Sequence, residues 1–471
     1  MKKSAEQLAQ AIRDKKCSSV EVAQAFIAQI ERVNPDINAV AQVDPQRIIE
    51  QAKQCDAALQ QGQLRGALHG VPVTIKDNLL TQDIITTGGS AAFAKHKPTA
   101  DATAVKRLRD AGAIILGKSN LPDFALAWET ESTAYGRTNN PHDLNYTAGG
   151  SSGGEAAIIA AGGSPLGLGT DSGGSIRLPA HYCGIAGLRT SHGLIPSTGH
   201  MPPAEGCPIL GVFAPFNAIG PMARSVSDLL YVLPILTGRD SIDPYAEYDA
   251  LQRPQAFTLK GLRVAFYTSA CGQSIDPEIE QALNKIARLL EQEGALIDAV
   301  EPPALSEARD IYCNIAGADG GEGIKALLSE LHYPQIPQNL INTLKLMPKE
   351  PSVRMLLDAQ LQRDFFRIKQ LQFMQKYDLI LCPVAAHTAL PHGLSFSEPE
   401  RFAQDHYLIP YSVLGWPSVV IPVGIARNHL PIGAQIIAKH RQDYCALYTA
   451  QAIERLLSTE VNAATPQIKK Q

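Results

Sequence analysis

Gly149-Gly150-Ser151-Ser152-Gly153-Gly154-Glu155 opens the stretch that decides how this chain is read. Gly169-Thr170-Asp171-Ser172-Gly173-Gly174-Ser175-Ile176-Arg177-Leu178-Pro179 follows it after an apolar run. From Gly149 to Gly199 glycine is several times denser than in the chain as a whole. Glycine tolerates left-handed backbone and lets main chain approach a ligand closely. A flexible linker is also glycine-rich, but residues 155–161 carry an apolar helical pattern that a linker has no reason to keep.

Upstream, Val71-Pro72-Val73-Thr74-Ile75 predicts a buried strand ending at Lys76-Asp77-Asn78. Residues 102–111 predict a helix and residues 113–116 a strand. Nearer the N-terminus, Ser4-x-x-Gln7 and Ser18-x-x-Glu21 fit capping boxes that begin two amphipathic helices. The second carries Val22, Phe26, Ile27 and Ile30 at helical spacing, and a polar third helix is expected over residues 45–60. Downstream, strands are expected at 262–268, 378–382 and 419–423, and helices over 277–293 and 443–457. Residues 304–374 are mostly helical in pattern. Helices alternating with short apolar strands predict an α/β fold.

The chain has 471 residues, 45% hydrophobic and 19% charged, with a formal net charge of −4. That composition supports a large core and offers no basic field for nucleic acid or anionic membrane. No apolar stretch approaches the ~20 residues that span a bilayer, and the N-terminus turns polar after Met1-Lys2-Lys3. A cytoplasmic protein is expected. Its eight scattered cysteines are expected to be free buried thiols. With no His-Glu-x-x-His motif and no clustered Cys/His ligands, no metal and no cofactor are expected.

Two short motifs point elsewhere. Gly112-Ala113-Ile114-Ile115-Leu116-Gly117-Lys118-Ser119 fits the phosphate-loop pattern. Such a loop follows a strand and precedes a helix, whereas here a helix precedes Gly112 and the intervening residues are themselves the strand. Gly149-Gly150-Ser151-Ser152-Gly153 fits the nucleophile elbow of an α/β-hydrolase esterase using Ser151, with His387, His392 or His406 as a late partner. No strand pattern precedes it in residues 141–148 to raise that elbow.

Taken whole, the Gly/Ser stretch closely resembles the amidase signature family. The resemblance continues through Cys183-Gly184-Ile185-Ala186-Gly187-Leu188-Arg189 and Gly220-Pro221-Met222-Ala223-Arg224. It extends upstream to Gly70-Val71-Pro72-Val73-Thr74-Ile75-Lys76-Asp77 and downstream to Gly415-Trp416-Pro417-Ser418 and Pro431-Ile432-Gly433. It implies a large mixed β-sheet flanked by helices in one amidase domain over residues 1–471. Within that domain, N-terminal helices fill residues 1–60 and the catalytic signature core residues 61–230. A variable helical substrate region fills residues 304–374, and the rest of the sheet with a closing helix residues 375–471. Matching positions imply Lys76 as catalytic lysine, Ser151 as bridging serine on a cis peptide, and Ser175 as nucleophile. The backbone of Ser172, Gly173, Gly174 and Ser175 matches the oxyanion hole. The resemblance places a substrate channel near Ala125 and Leu126. Asp171 and Arg177, which flank the nucleophile, are expected to form a structural ion pair.

Some relatives in the family act on glutamine as the amidotransferase component of a tRNA-dependent transamidase. Leu144-Asn145-Tyr146-Thr147-Ala148 and Pro196-Ser197-Thr198-Gly199-His200-Met201-Pro202 look unlike that subgroup. Asp319-Gly320-Gly321 and Asp378-Leu379-Ile380-Leu381-Cys382-Pro383 look more like free-standing amidases, including fatty-acid amide hydrolases. The partner expected is a small-molecule amide, with no nucleic acid; a homodimer is left open.

The chemistry is coherent on its own terms. A serine hydroxyl is a poor nucleophile near pH 7 without an adjacent base. Lysine can serve once burial makes its neutral form accessible. A second serine can relay the proton, and main-chain donors at the glycines can meet a developing oxyanion. A fluorophosphonate probe followed by peptide mapping should mark Ser175; a label on Ser151 would select the elbow reading instead.

Overall fold

The computed structural model describes residues 3–202, 213–246, 249–331, 333, 336–394 and 405–458. Strands β1 (Val40–Val43), β2 (Pro72–Lys76), β3 (Ile114–Ser119), β4 (Glu131–Ser132), β5 (Gly136–Arg137), β6 (Leu166–Asp171) and β7 (Ala186–Arg189) fall in the first half of the chain. Strands β8 (Ala218–Ala223), β9 (Arg263–Phe266), β10 (Leu296–Ala299), β11 (Leu379–Pro383), β12 (Ser418–Ile425) and β13 (Pro431–Ala438) follow. All but β4 and β5, which form a separate hairpin, join one eleven-stranded sheet in the order β1-β3-β2-β6-β8-β7-β12-β13-β11-β9-β10. The sheet is mixed. The β3-β2-β6 and β11-β9-β10 wings are parallel, and the pairings between them are antiparallel.

The helices cover this sheet. Helix α1 (Ala5–Arg13) and α2 (Ser19–Ile37) start at the expected capping boxes, with Ser4 and Ser18 each accepting from the N3 amide while Gln7 and Glu21 reach back. They are followed by α3 (Pro45–Gln60), α4 (Thr103–Asp110), α5 (Gly153–Ala160), α6 (Arg177–Cys183) and α7 (Val226–Leu236). Beyond these lie α8 (Pro277–Gln292), α9 (Glu307–Ala316), α10 (Glu322–Glu330), α11 (Gln338–Lys345), α12 (Val353–Phe373), α13 (Asp405–Leu414) and α14 (Asp443–Ser458). Every residue of α5 is buried, Glu155 among them, on a helix otherwise made of Gly, Ala and Ile. No described helix is long and apolar enough to cross a membrane.

The order of β2 and β6 positions the site. They are parallel neighbours with Thr74 opposite Gly167 and Ile75 opposite Leu168. Their C-terminal ends, carrying Lys76 on one and Thr170-Asp171 on the other, therefore emerge at the same sheet edge. Chain after a parallel strand is where α/β sheets build clefts. The described cysteines form no disulfide, but they are not uniformly buried: Cys271 is exposed and Cys17, Cys313 and Cys445 are half-buried. Cys207 lies outside the described residues.

Leu168 is fully buried at the centre of β6, against Ile75 on one side and Pro221 on the other. Leu168→Ala should leave a cavity and cost about 2–5 kcal/mol, read as a lowered midpoint in urea unfolding.

Candidate active site

Lys76 ends β2 with its side chain fully buried. Its Nζ lies 2.6 Å from Ser151 Oγ and 2.9 Å from Thr170 Oγ1. Ser151 sits just before α5, and the Gly150–Ser151 peptide bond is cis. Burial pushes the Lys76 ammonium well below the usual lysine range, opposed by the carboxylates of Asp171 and Glu155.

Ser175 follows β6 and is nearly buried, and its carbonyl accepts the Ser152 N–H at 3.0 Å. Ser151, Thr170, Ser172, Gly173 and Ser175 line one cavity of about 520 Å³. No hydrogen bond links the Ser151 and Ser175 hydroxyls among the described residues. The main-chain donors of residues 172–175 are only partly free. Gly174 N–H donates to Asp171 Oδ1 at 2.8 Å, which takes it out of the expected donor set. The Gly173 and Ser175 N–H groups have no partner among the described residues. Gly174 adopts φ +116°, a conformation that glycine alone takes readily, and a Cβ there would strike the Leu408 side chain.

Asp171 holds this loop in shape. Its carboxylate accepts from Gly174 N–H, from Ile176 N–H at 3.1 Å, and from Arg177 Nε and Nη2 at 3.0 Å each. Arg189 adds a contact at 3.4 Å and also reaches the Asp171 carbonyl. Arg177 is satisfied further by Leu408 O, Gln435 Oε1 and Ser412 Oγ. Burial raises the Asp171 pKa, but the two guanidiniums outweigh it and hold the carboxyl far below the carboxylate range.

Several residues escaped the sequence reading. Glu155 is fully buried, accepting from Thr74 Oγ1 and from Ser119 Oγ at 2.6 Å. Burial pushes its carboxyl up to about 7, against the hydroxyls and against Lys76 and Lys118. A side chain at Gly167 would collide with that carboxylate, so the strand there has to be bare. Asn78 Nδ2 joins Thr170 Oγ1 and His200 Nε2, both at 2.9 Å, which extends the polar chain from Lys76 to a cavity-lining ring. Burial holds that imidazole down at about 3, so it is neutral at working pH. All these residues stand inside or beside the quoted motifs, but a motif gives order along the chain and not contact.

Ala125 and Leu126 line the same cavity, and Phe124 and Ala125 both take positive φ there. Phe124, Trp128, Met201, Phe213 and Ile409 make most of its wall apolar, while Arg309, Tyr312 and Asn342 come from the 304–374 stretch. Lys118 of the phosphate-loop pattern ends β3, buried, and donates to Leu79 O, Thr81 Oγ1 and Thr86 Oγ1. It stands 3.6 Å from Asp77 and clamps the loop after β2. The elbow reading also fails: no strand precedes Ser151, its partner is Lys76, and His387 and His392 bond to backbone carbonyls.

A buried lysine bonded to a serine thus lies beside a loop of main-chain donors on an α/β sheet. The family model described as Amidase matches residues 21–447, and the chain belongs to that family of hydrolases acting on carbon–nitrogen amide bonds. It is 32% identical over 468 residues to a glutamyl-tRNA(Gln) amidotransferase component of Lachnospira eligens, covering 92% of this chain and 94% of that protein. A bacterial aryl acylamidase superposes with a TM-score of 0.85 at 26% identity, covering 96% of each chain. A fatty acid amide hydrolase does so with a TM-score of 0.85 at 25% identity, covering 97% of this chain and 85% of that one. Likeness thus runs to both branches that the sequence reading set apart.

Asp171→Asn should remove one partner of a buried ionic cluster and cost about 3–5 kcal/mol in urea unfolding at neutral pH. Because the folded pKa is depressed, the Asp171 contribution is present in full above the unfolded value of ~3.9 and fades as pH falls below it. The gap between wild type and Asp171→Asn should therefore narrow in acid.

Proposed function

We propose that this enzyme hydrolyses a small carboxylic acid amide to acid and amine or ammonia through an acyl-enzyme on Ser175. The observation that carries the reading is the 2.6 Å contact between Lys76 Nζ and Ser151 Oγ, fully buried beside the cavity that Ser175 lines. Neutral Lys76 takes the Ser151 proton as Ser151 takes the Ser175 proton, and Ser175 Oγ attacks the amide carbon. The oxyanion is met by the Gly173 and Ser175 N–H groups, each such donor being worth about 3 kcal/mol. The relay then runs backward and delivers the proton to the leaving nitrogen. Water deprotonated by the same pair cleaves the ester and restores Ser175. The mostly apolar wall favours an amide with an apolar acyl or aryl part.

A second reading, a transamidase component that releases ammonia from glutamine, is favoured by the 32% identical relative of that name. Ammonia release from glutamine only upon addition of partner proteins would select it. Turnover of aryl or alkyl amides by the chain alone selects the first.

The acylation rate should rise with pH and level off well below the usual lysine range as Lys76 loses its proton, since the neutral form is the base. Lys76→Ala should remove that rise and about 10²–10⁴ of the rate, with folding checked by circular dichroism. A Lys76→Ala enzyme that keeps both rate and alkaline limb would sink the mechanism. Lys76→Arg should not rescue, because guanidinium stays protonated.

A further inference from the structure

Residues 199–201 lie antiparallel against residues 78–80, just past Lys76 at the end of β2. Leu80 N–H donates to Gly199 O at 2.9 Å, Met201 N–H donates to Asn78 O at 2.6 Å, and Leu79 pairs with His200. Backbone thus sets where the His200 side chain stands, and a change of that side chain leaves the pairing of its segment intact. The imidazole lines the cavity and is 9% exposed, whereas Lys76 and Asn78 are fully buried and lie outside the cavity wall. The ring therefore stands between the cavity and Asn78.

An amide nitrogen only donates, so Asn78 Nδ2 gives one N–H to Thr170 Oγ1 and the other to His200 Nε2, both at 2.9 Å. The ring is then a neutral acceptor at Nε2, with its proton on Nδ1. That agrees with the value of about 3 to which burial, and then the nearby Lys76, hold it. Asn78 Oδ1 has no partner among the described residues, so these two bonds alone orient the amide. Thr170 Oγ1 in turn stands 2.9 Å from Lys76 Nζ. We propose that His200 is a positioning residue for the Lys76 base: it holds the Asn78 amide on Thr170 and closes the Asn78–Thr170–Lys76 chain to cavity water.

This role rests on the proposed function, in which neutral Lys76 is the base. Without the ring, Asn78 Nδ2, Asn78 Oδ1 and Thr170 Oγ1 would offer entering water the several polar partners it needs to settle. Water beside that chain solvates the ammonium, and the pKa of Lys76 climbs back toward the ordinary lysine value. A higher pKa means less neutral base at a given pH, so the rise of the acylation rate moves to higher pH. The other titratable groups that act on Lys76 are Asp171 at the end of β6 and Glu155 on α5, both of which favour the ammonium. Asp171 is held by Arg177 and the amides of its own loop, and Glu155 by Thr74 and Ser119, so a change at His200 leaves both in place. Lys118 on β3 and Asp77 after β2 pair with one another.

The test is the rate at which a fluorophosphonate labels Ser175, followed against pH, because that probe reports the base without requiring the natural amide. His200→Ala should move the rising limb up by about one pH unit, a roughly tenfold lower rate at any pH below the limb. Its plateau and its melting curve should match wild type. His200→Gln should restore the wild-type limb, since its side-chain oxygen reaches the place of Nε2. If His200→Ala melts early, His200→Asn decides in its stead: its amide ends where Nδ1 was, short of Asn78, and should move the limb as Ala does. An unmoved limb in a folded His200→Ala or His200→Asn chain, a rate lowered equally at every pH, or a His200→Gln chain that behaves as His200→Ala does overturns the proposal. Lys76→Ala separates these outcomes from a failure of the mechanism. A limb that Lys76→Ala leaves in place overturns the reading of Lys76 as base, and the role of His200 with it. A limb that Lys76→Ala removes and His200→Ala leaves unmoved overturns the role of His200 alone.

Discussion

Everything at this site depends on withholding water from one ammonium group. Lys76 is fully buried, and the desolvation that lowers its proton affinity is the largest influence on it. Anions nearby would undo that effect, and two are present. The charge of Asp171 is engaged by Arg177 and Arg189 and by the amides of its own loop. Glu155 is capped by two hydroxyls and by burial reaches a value near 7, so its negative charge is itself weakly held. The fold thus supplies carboxylates for shape while denying Lys76 a close ion-pair partner.

Lys118 shows how local that arrangement is. Strands β2 and β3 are parallel, and Lys118 lies opposite Ile75, one residue from Lys76 in register. Both lysines are fully buried. Lys118, however, has Asp77 at 3.6 Å and three oxygen acceptors, and its ammonium is held at about 8 by burial against that carboxylate. Two lysines of equal burial on adjacent strands have different partners: one meets a carboxylate and the other a serine hydroxyl. A lysine with its counter-ion is a clamp; a lysine without one can act as a base.

Much of the secondary structure was legible in advance where local chemistry dictates it. The capping boxes at Ser4 and Ser18 start helices because their side chains satisfy amides that no helical carbonyl can reach. Pro45–Gln60 and Pro277–Gln292 were legible from periodicity, and β2 from a run of buried strand formers. The glycine-rich strand β6, with Gly167 and Gly169 in its interior, carries no strand propensity of its own. It is a strand because β2 and β8 flank it, and Gly167 is bare because Glu155 needs the room. The cysteine expectation failed at Cys271 for a related reason: burial is a property of packing and not of residue type.

Residue order alone was enough to give the family, the α/β class and the choice of Lys76, Ser151 and Ser175 as residues worth watching, because all of these follow from long motifs read along the chain. Which group each of them meets waited for the folded chain. Lys76 meets Ser151 while Lys118 meets Asp77, and the Gly174 amide is engaged by Asp171. Thr170, Asn78 and His200 extend the polar chain into the cavity. Most of these contacts join segments tens of residues or more apart. They are set by strand order and register, which no local pattern encodes, and whether a buried group is charged depends on those contacts.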